Sequence, residues 1–505
     1  MNKIFVNNIG DLGEAQRASF YNFLSNGISE ELANFPNPFI AKIKVPTRTN
    51  KRVLPCFVYL YTNDIKLKGP NFSIDNCLKR DMSYAVQIYI PGEYSYPYDE
   101  KLDVQNLTNS LLEFKQNSIK KIRIKQDIFF GEIPLMTEEG TFVISGCERV
   151  IISQIIRSPG VYFRKEFGTT RKAIYTATII SNKGLWTKFI LDSKIIKNES
   201  QDKEVEKDRI YLKLNEFRLK SPETKKKEEE SDEDKLFIYD LINYFGLNFQ
   251  ELSDSVKYPL QIKTHQLKRE KITNDEEIPL LIKKLFFNQK AGCFSIGEIG
   301  RYKINKKLGL NLPKNITYLT SQDFIRIIDG LIELKYYDRI SDDIDHIKNK
   351  QIRCIGELLQ NQIRIGFYRL QKSLLEGPSA VSKSQKLNFD LETASDPDDW
   401  IIDPRPVTSS IKEFFKTSQL SQFMDQINPL AELTHKRRIS VFGPNGLKRD
   451  HISTVIRDIH PSQYGRLCPI ETPEGQNAGL IASISMFGRI GSLGCVETPY
   501  FLLKD

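Results

Sequence analysis

SQLSQFMDQINPLAELTHKRRISVFGPNGLKRD, residues 418–450, and RDIHPSQYGRLCPIETPEGQNAGLI, residues 457–481, carry dense positive charge around a series of tight corners. Just upstream, Ser410 and Glu413 have the spacing of a capping box, and Ile411, Phe414 and Phe415 give the helix that follows a buried face. A second apolar triplet, Leu420, Phe423 and Met424, repeats that helical spacing. Asn428-Pro429 then suits a helix start, with Asn as cap and Pro in the first turn. Short helices joined by tight corners are expected.

Between Ser421 and Arg466, seven basic residues (Lys436, Arg437, Arg438, Lys448, Arg449, Arg457, Arg466) face four acidic ones (Asp425, Glu432, Asp450, Asp458). Arg437 and Arg438 precede a Gly443-Pro444-Asn445-Gly446 loop whose tip carries Lys448 and Arg449, within reach of phosphates or base edges. By themselves these residues fit a binding surface and a solvated face equally.

Self-sufficient chemistry is not legible. The loop from Gly443 to Lys448 lacks the spacing of a phosphate loop. Glu471 and Glu474 offer two carboxylates, but Pro473 and Gly475 favour a rigid turn over a metal site. His435, His451 and His460 lack the helical geometry of a metal site. Seven cysteines, at 56, 77, 147, 293, 354, 468 and 495, include no Cys-x-x-Cys pair and suggest neither zinc nor a disulfide framework.

Working outward, 505 residues should fold as about three domains. The 40% hydrophobic content supplies their cores. A net charge of +9 permits a polyanionic partner without requiring one. Apolar runs fall short of a membrane span. The N-terminus lacks a signal-peptide pattern, and Asp11 and Glu14 argue against a transit peptide. Residues 119–125 alternate as a strand with one basic face. Residues 130–163 read as a compact β unit punctuated by Gly131, Gly140, Gly146 and Ser158-Pro159-Gly160, with Arg149, Arg157, Arg164 and Lys165 near its end. SPETKKKEEESDEDK, residues 221–235, has no apolar anchor and reads as a charged insertion. From Gln351, apolar residues recur at helical spacing through Leu374, opposite a polar stripe of Arg353, Glu357, Gln360 and Arg364, with Gly377-Pro378 as the stop.

The strings at 418–450 and 457–481 resemble the fork region of the β subunit of bacterial- and plastid-type multisubunit RNA polymerase. GEIPLMTEEGTFVISGCERVIISQIIRSPGVYF and DDIDHIKNKQIRCIGELLQNQ are similar to two further family segments in the same order. The resemblance implies an α+β, multidomain fold of mixed β-rich and helical modules. Its expected layout is 1–135 protrusion, first part; 136–365 lobe, with the charged insertion at about 197–235; 366–418 return through the protrusion; 419–505 fork.

The resemblance further implies a wall of the cleft that holds DNA and the RNA:DNA hybrid, within a complex that transcribes DNA into RNA. Lys448 and Arg449 would face downstream DNA, and Arg157, Trp186, Asp345 and Lys350 would hold a non-template-strand base. Lys350 stands where arginine is usual, which weakens the case for bidentate recognition there. Gln422, Phe423, Asp425, His435, Arg438, Ser440, Pro473, Glu474, Asn477 and Ile481 match the rifamycin pocket beside the RNA path, with Phe442 where leucine is common. No catalytic or metal-binding residue is expected in this chain, because Mg2+ belongs to the partner β′. Other implied partners are the C-terminal section of β, an α dimer and a sigma-type factor. The family's sequences continue past residue 505, and codon-biased Ile, Lys and Asn suit a plastid genome with a split β gene, as in green algae; bacterial cytoplasm is the alternative. A free-standing nucleic-acid-binding regulatory module is the rival function, and a hydrolase using Glu471 and Glu474 a third.

Overall fold

In the computed structural model, the described residues are 11–46, 51–97, 121–167, 173–184, 186–197, 204–213, 235–237, 254–258, 294–337, 339–376, 404–447 and 452–500. In chain order they begin with α1 (Glu14–Asn22), α2 (Ile28–Ala33), β1 (Phe39–Pro46), β2 (Lys51–Leu60), β3 (Lys66–Lys68), α3 (Ile74–Lys79), β4 (Ala85–Pro97), β5 (Lys121–Pro134), β6 (Phe142–Ile144), β7 (Cys147–Ile151) and β8 (Ser153–Arg157). A middle stretch holds β9 (Gly160–Phe167), β10 (Ala173–Ile180), β11 (Thr187–Lys197), β12 (Glu204–Lys213), β13 (Lys235–Phe237), α4 (Gly297–Leu308), α5 (Ser321–Tyr336) and β14 (Lys350–Arg353). The last stretch holds α6 (Ile355–Glu376), α7 (Arg405–Thr417), β15 (Ser421–Phe423), α8 (Pro429–Lys436), β16 (Arg438–Ser440), β17 (Ile481–Ser483), β18 (Arg489–Ile490) and β19 (Val496–Glu497). The fold is α+β, in two compact units: Met1–Ile156 with Ile352–Asp505, and Arg157–Gln351.

The first unit is built on the sheet β1-β2-β4-β3, with β5 also paired to β4. Alternation along β4 turns Val86, Ile88 and Ile90 inward, and Ile128 and Phe130 of β5 join them. Helices α1, α2, α6 and α7 cover this face, each burying one apolar stripe: Phe20, Ile28 and Leu32, then Leu359, Ile363 and Phe367, then Ile411 and Phe415. Phe142 ties β6 into the same core, its ring centroid 5.5 Å from Phe20 and 5.1 Å from Phe415. Two small sheets carry the remaining strands. In one, β7 lies between β15 and β6. In the other, β16 runs parallel to β8 and antiparallel to β17.

The second unit is the meander β13-β12-β11-β10-β9, antiparallel throughout. Phe163, Ile179, Leu191 and Leu212 point from it toward Ile304 of α4 and Phe324, Ile327 and Leu331 of α5. A wholly buried ion pair sits at the start of α5. Arg301 Nη1 lies 2.8 Å from both carboxylate oxygens of Asp323, and Arg301 Nε donates to the Ile316 carbonyl at 2.8 Å. Asp323 also closes the capping box with Thr320.

Several local expectations change. The capping-box reading of Ser410 fails because α7 already starts at Arg405; Ser410 lies inside it, and its hydroxyl donates to the Gln362 carbonyl at 2.9 Å. The triplet Leu420, Phe423 and Met424 is not helical: Ser421–Phe423 forms β15, because Gln422 pairs with Val150 of β7. The long helix starts at Ile355, after β14, whose Ile352 N–H donates to the Gly494 carbonyl at 2.8 Å. Part of its polar stripe faces α2, where Gln360 and Arg364 hold Glu31 at 3.1 and 2.9 Å. Residues 136–156 and 352–365 pack in the first unit, because β6, β7 and α6 belong to its core. The Asn428 cap stands as read, its side chain accepting from the Ala431 N–H at 2.7 Å. Strand β5 spans Lys121–Pro134, while the alternating side chains of 121–124, the insertion at 221–234 and the stop at Gly377-Pro378 lie outside the described residues.

Candidate nucleic-acid interface

The second unit brings Arg157, Trp186, Asp345 and Lys350 together. Arg157 ends β8 and Trp186 immediately precedes β11, so two strand ends present them. Trp186 is 43% exposed, and the Arg157 guanidinium carbon lies 6.0 Å from its ring centroid, at the outer edge of cation–π range. Lys350 Nζ lies 3.6 Å from Asp345 Oδ1. The loop holding them is tied down: the Asp345 N–H donates to Asp343 Oδ1 at 2.9 Å, and the Ser158 N–H donates to the Asn349 carbonyl at 2.9 Å. Burial lowers the pKa of both Arg157 and Lys350, with Asp345 opposing the shift in each case. An exposed indole face flanked by two cations and one carboxylate can stack on a base while donating to and accepting from its edge.

The second set lies in the first unit. His435 of α8 is buried; its Nδ1 accepts from the Asp425 N–H at 3.1 Å and its Nε2 lies 3.1 Å from Gln422 Oε1. Because Nδ1 is an acceptor, the ring proton sits on Nε2 and is donated to Gln422. Burial, helped by Arg438, lowers the pKa of His435, with Asp425 opposing. Phe423 is exposed and stacked under the Arg149 guanidinium, 4.2 Å from its centroid. Arg438 and Ser440 lie on β16, where Ser440 pairs with Ile481 of β17. Pro473, Glu474 and Asn477 form the turn leading into β17, held by Thr472, whose hydroxyl donates to the Ile481 carbonyl at 2.9 Å and accepts from the Gly479 N–H at 2.9 Å. Glu474 precedes the 3-10 turn Gly475–Asn477, which agrees with a turn at Glu471 and Glu474. Among the described residues no three His, Cys, Asp or Glu side chains converge as a metal site.

Much of the basic charge proves to be internal. Arg437 Nη1 donates to the Leu12 carbonyl at 2.8 Å and Nη2 to Ser485 at 2.6 Å; Arg457 binds the carbonyls of Gln476 and Ala478, and Arg466 that of Val496. These guanidiniums hold turns, so the expected reach of Arg437 toward phosphates is not met. Lys448, Arg449 and His451 lie outside the described residues. Sequence reading passed over Gln154 of β8, whose fully buried amide donates to the Pro444 carbonyl at 2.9 Å and so anchors the 443–447 loop. A Cβ at Gly446 would meet the Val441 carbonyl oxygen at 2.5 Å and that amide nitrogen at 2.9 Å, so glycine is needed there. No local pattern marks Gln154, because its partner arrives from a distant part of the chain.

Residues 422–490 match the family model of RNA polymerase Rpb2, domain 3, and residues 231–353 that of RNA polymerase Rpb2, domain 2. The chain is 39% identical over 99% of its length to the DNA-directed RNA polymerase subunit beta of Trichodesmium erythraeum, and 38% identical over 100% to that of Synechocystis. It is 39% identical over 97% to that of Pyropia yezoensis. The chain belongs to the RNA polymerase β-subunit family. It spans 40%, 41% and 42% of those three β subunits, respectively. Within the family frame, the domain 3 match contains all ten residues of the second set, and the domain 2 match contains Asp345 and Lys350.

Proposed function

We propose that this chain forms one wall of the DNA and RNA:DNA hybrid cleft of a DNA-directed RNA polymerase and supports template-directed RNA synthesis without catalysing it. The observation that carries this reading is the similarity to β subunits along nearly the whole chain, 39% over 99% of its length. The catalytic Mg2+ is assigned to the partner β′, and the remainder of β, an α dimer and a sigma-type factor complete the nucleotidyltransferase. The named domains are read as protrusion, lobe and fork. A plastid setting is favoured by red-algal and cyanobacterial relatives, with bacterial cytoplasm as the alternative. No helix among the described residues is long and apolar enough to cross a membrane.

Arg157, Trp186, Asp345 and Lys350 hold an unpaired non-template base in this reading, supported by their convergence. Lys448 and Arg449 face downstream DNA, a role that rests on the resemblance. Gln422, Phe423, Asp425, His435, Arg438, Ser440, Pro473, Glu474, Asn477 and Ile481 take rifamycin beside the RNA path. The buried ring of Phe442, whose N–H donates to the Ser440 hydroxyl at 3.1 Å, reduces the room there. In the assembled polymerase, Trp186→Ala shortens the lifetime of promoter open complexes, and rifamycin inhibits at higher dose than in an enzyme with Phe442→Leu. An unchanged lifetime removes the base-pocket role, and insensitivity at any soluble dose removes the drug pocket.

A further inference from the structure

We propose that Lys303 and Lys348 hold backbone phosphates of a single DNA strand beside the Trp186 pocket, an extension that rests on reading that pocket as a single-strand site. The segment 342–350 carries three aspartates, yet two are engaged by cations. Asp342 accepts from Lys307 and, at 2.6 Å, from the Phe163 N–H, while Asp345 pairs with Lys350 at 3.6 Å. Lys348, in the same segment, is exposed. Lys303 of α4 is brought alongside it, its Nζ donating to the Lys348 carbonyl at 3.0 Å. From Lys348 two residues of backbone, at most about 7 Å, lead to Lys350. The same segment is clamped to the start of the pocket by the Ser158 N–H, bound to the Asn349 carbonyl at 2.9 Å.

The chemistry selects the ligand. Lysine ammoniums act as point charges suited to phosphate, and an exposed indole beside them suits a base attached to that phosphate. An acidic peptide would satisfy the lysines but leave the exposed face of Trp186 without a partner. Lys303 and Lys348 therefore extend the pocket along the strand, and add affinity that is independent of base identity.

The test titrates the purified full chain with a fluorescent single-stranded DNA oligonucleotide over a range of salt. Replacing both lysines, Lys303→Ala with Lys348→Ala, lowers the slope of log affinity against log salt by about 1.4, two contacts at about 0.7 each. Lys303→Arg with Lys348→Arg restores the slope, which separates lost charge from lost folding. Trp186→Ala weakens binding several-fold at unchanged slope. A wild-type slope in the double alanine variant overturns the phosphate contact, and the base pocket still stands if Trp186→Ala weakens binding. A reduced slope with a silent Trp186→Ala supports the phosphate contact and removes the base pocket. No binding by the wild-type chain, or equal competition by an acidic peptide, overturns the proposal.

Discussion

His435 accepts one hydrogen bond and donates another, an arrangement that only the neutral ring can make. Its pKa is lowered in the folded chain, so the unfolded chain takes up the proton first, near the ordinary histidine value of about 6.5. Its contribution to stability is therefore complete above that pH and is lost as pH falls through the unfolded value toward the folded one. Melting temperature should drop more steeply below about pH 6.5 in the wild-type chain than in His435→Gln; parallel profiles would contradict the neutral-ring assignment. The two partners of His435 were not legible in the sequence, since they depend on how β15 and α8 pack. The described Cys77, Cys147, Cys354, Cys468 and Cys495 are free, and burial pushes the Cys354 thiol up to about 12.

At the scale of elements, α5 depends on a charge that has no contact with water. Asp323→Ala would strand the fully buried Arg301 and should cost about 3–5 kcal/mol, read as a lowered urea midpoint. A loss under about 1 kcal/mol would mean that the arginine finds other partners or water. Asn428→Ala removes only a cap on α8 and should cost about 1 kcal/mol; an unchanged midpoint would show the cap to be redundant. The contrast tracks legibility. Asn428-Pro429 is a local signal and was read correctly, whereas Asp323 opposite Arg301 joins two helices and left no pattern. Phe423 was misread as helical because its apolar spacing fits a helix, but pairing with β7 overrides spacing.

For the whole molecule, the first unit is discontinuous, with the second inserted between β8 and α6. The α+β class followed from the resemblance, whereas the seams after residues 156 and 351 appear only in the fold. They are set by which distant segments share a core: Phe142 packs on Phe415, so β6 and α7 are one body despite their separation in sequence. The candidate site residues were named from the resemblance, and the proximity of Arg157 to Trp186 and of Asp345 to Lys350 appears only in the fold. Arg437, Arg457 and Arg466 bind backbone carbonyls, so the basic count of this stretch does not translate directly into free positive charge.

The central claim, that this chain is a cleft wall within a larger polymerase, is tested most directly by affinity purification of the tagged full chain from its own cells, with mass identification of what accompanies it and an assay of RNA synthesis. The account predicts recovery with β′, α and the remaining part of β, and template-directed RNA synthesis by that complex but not by the chain alone. Recovery as a lone monomer, or nucleotidyl transfer by the isolated chain, would contradict it.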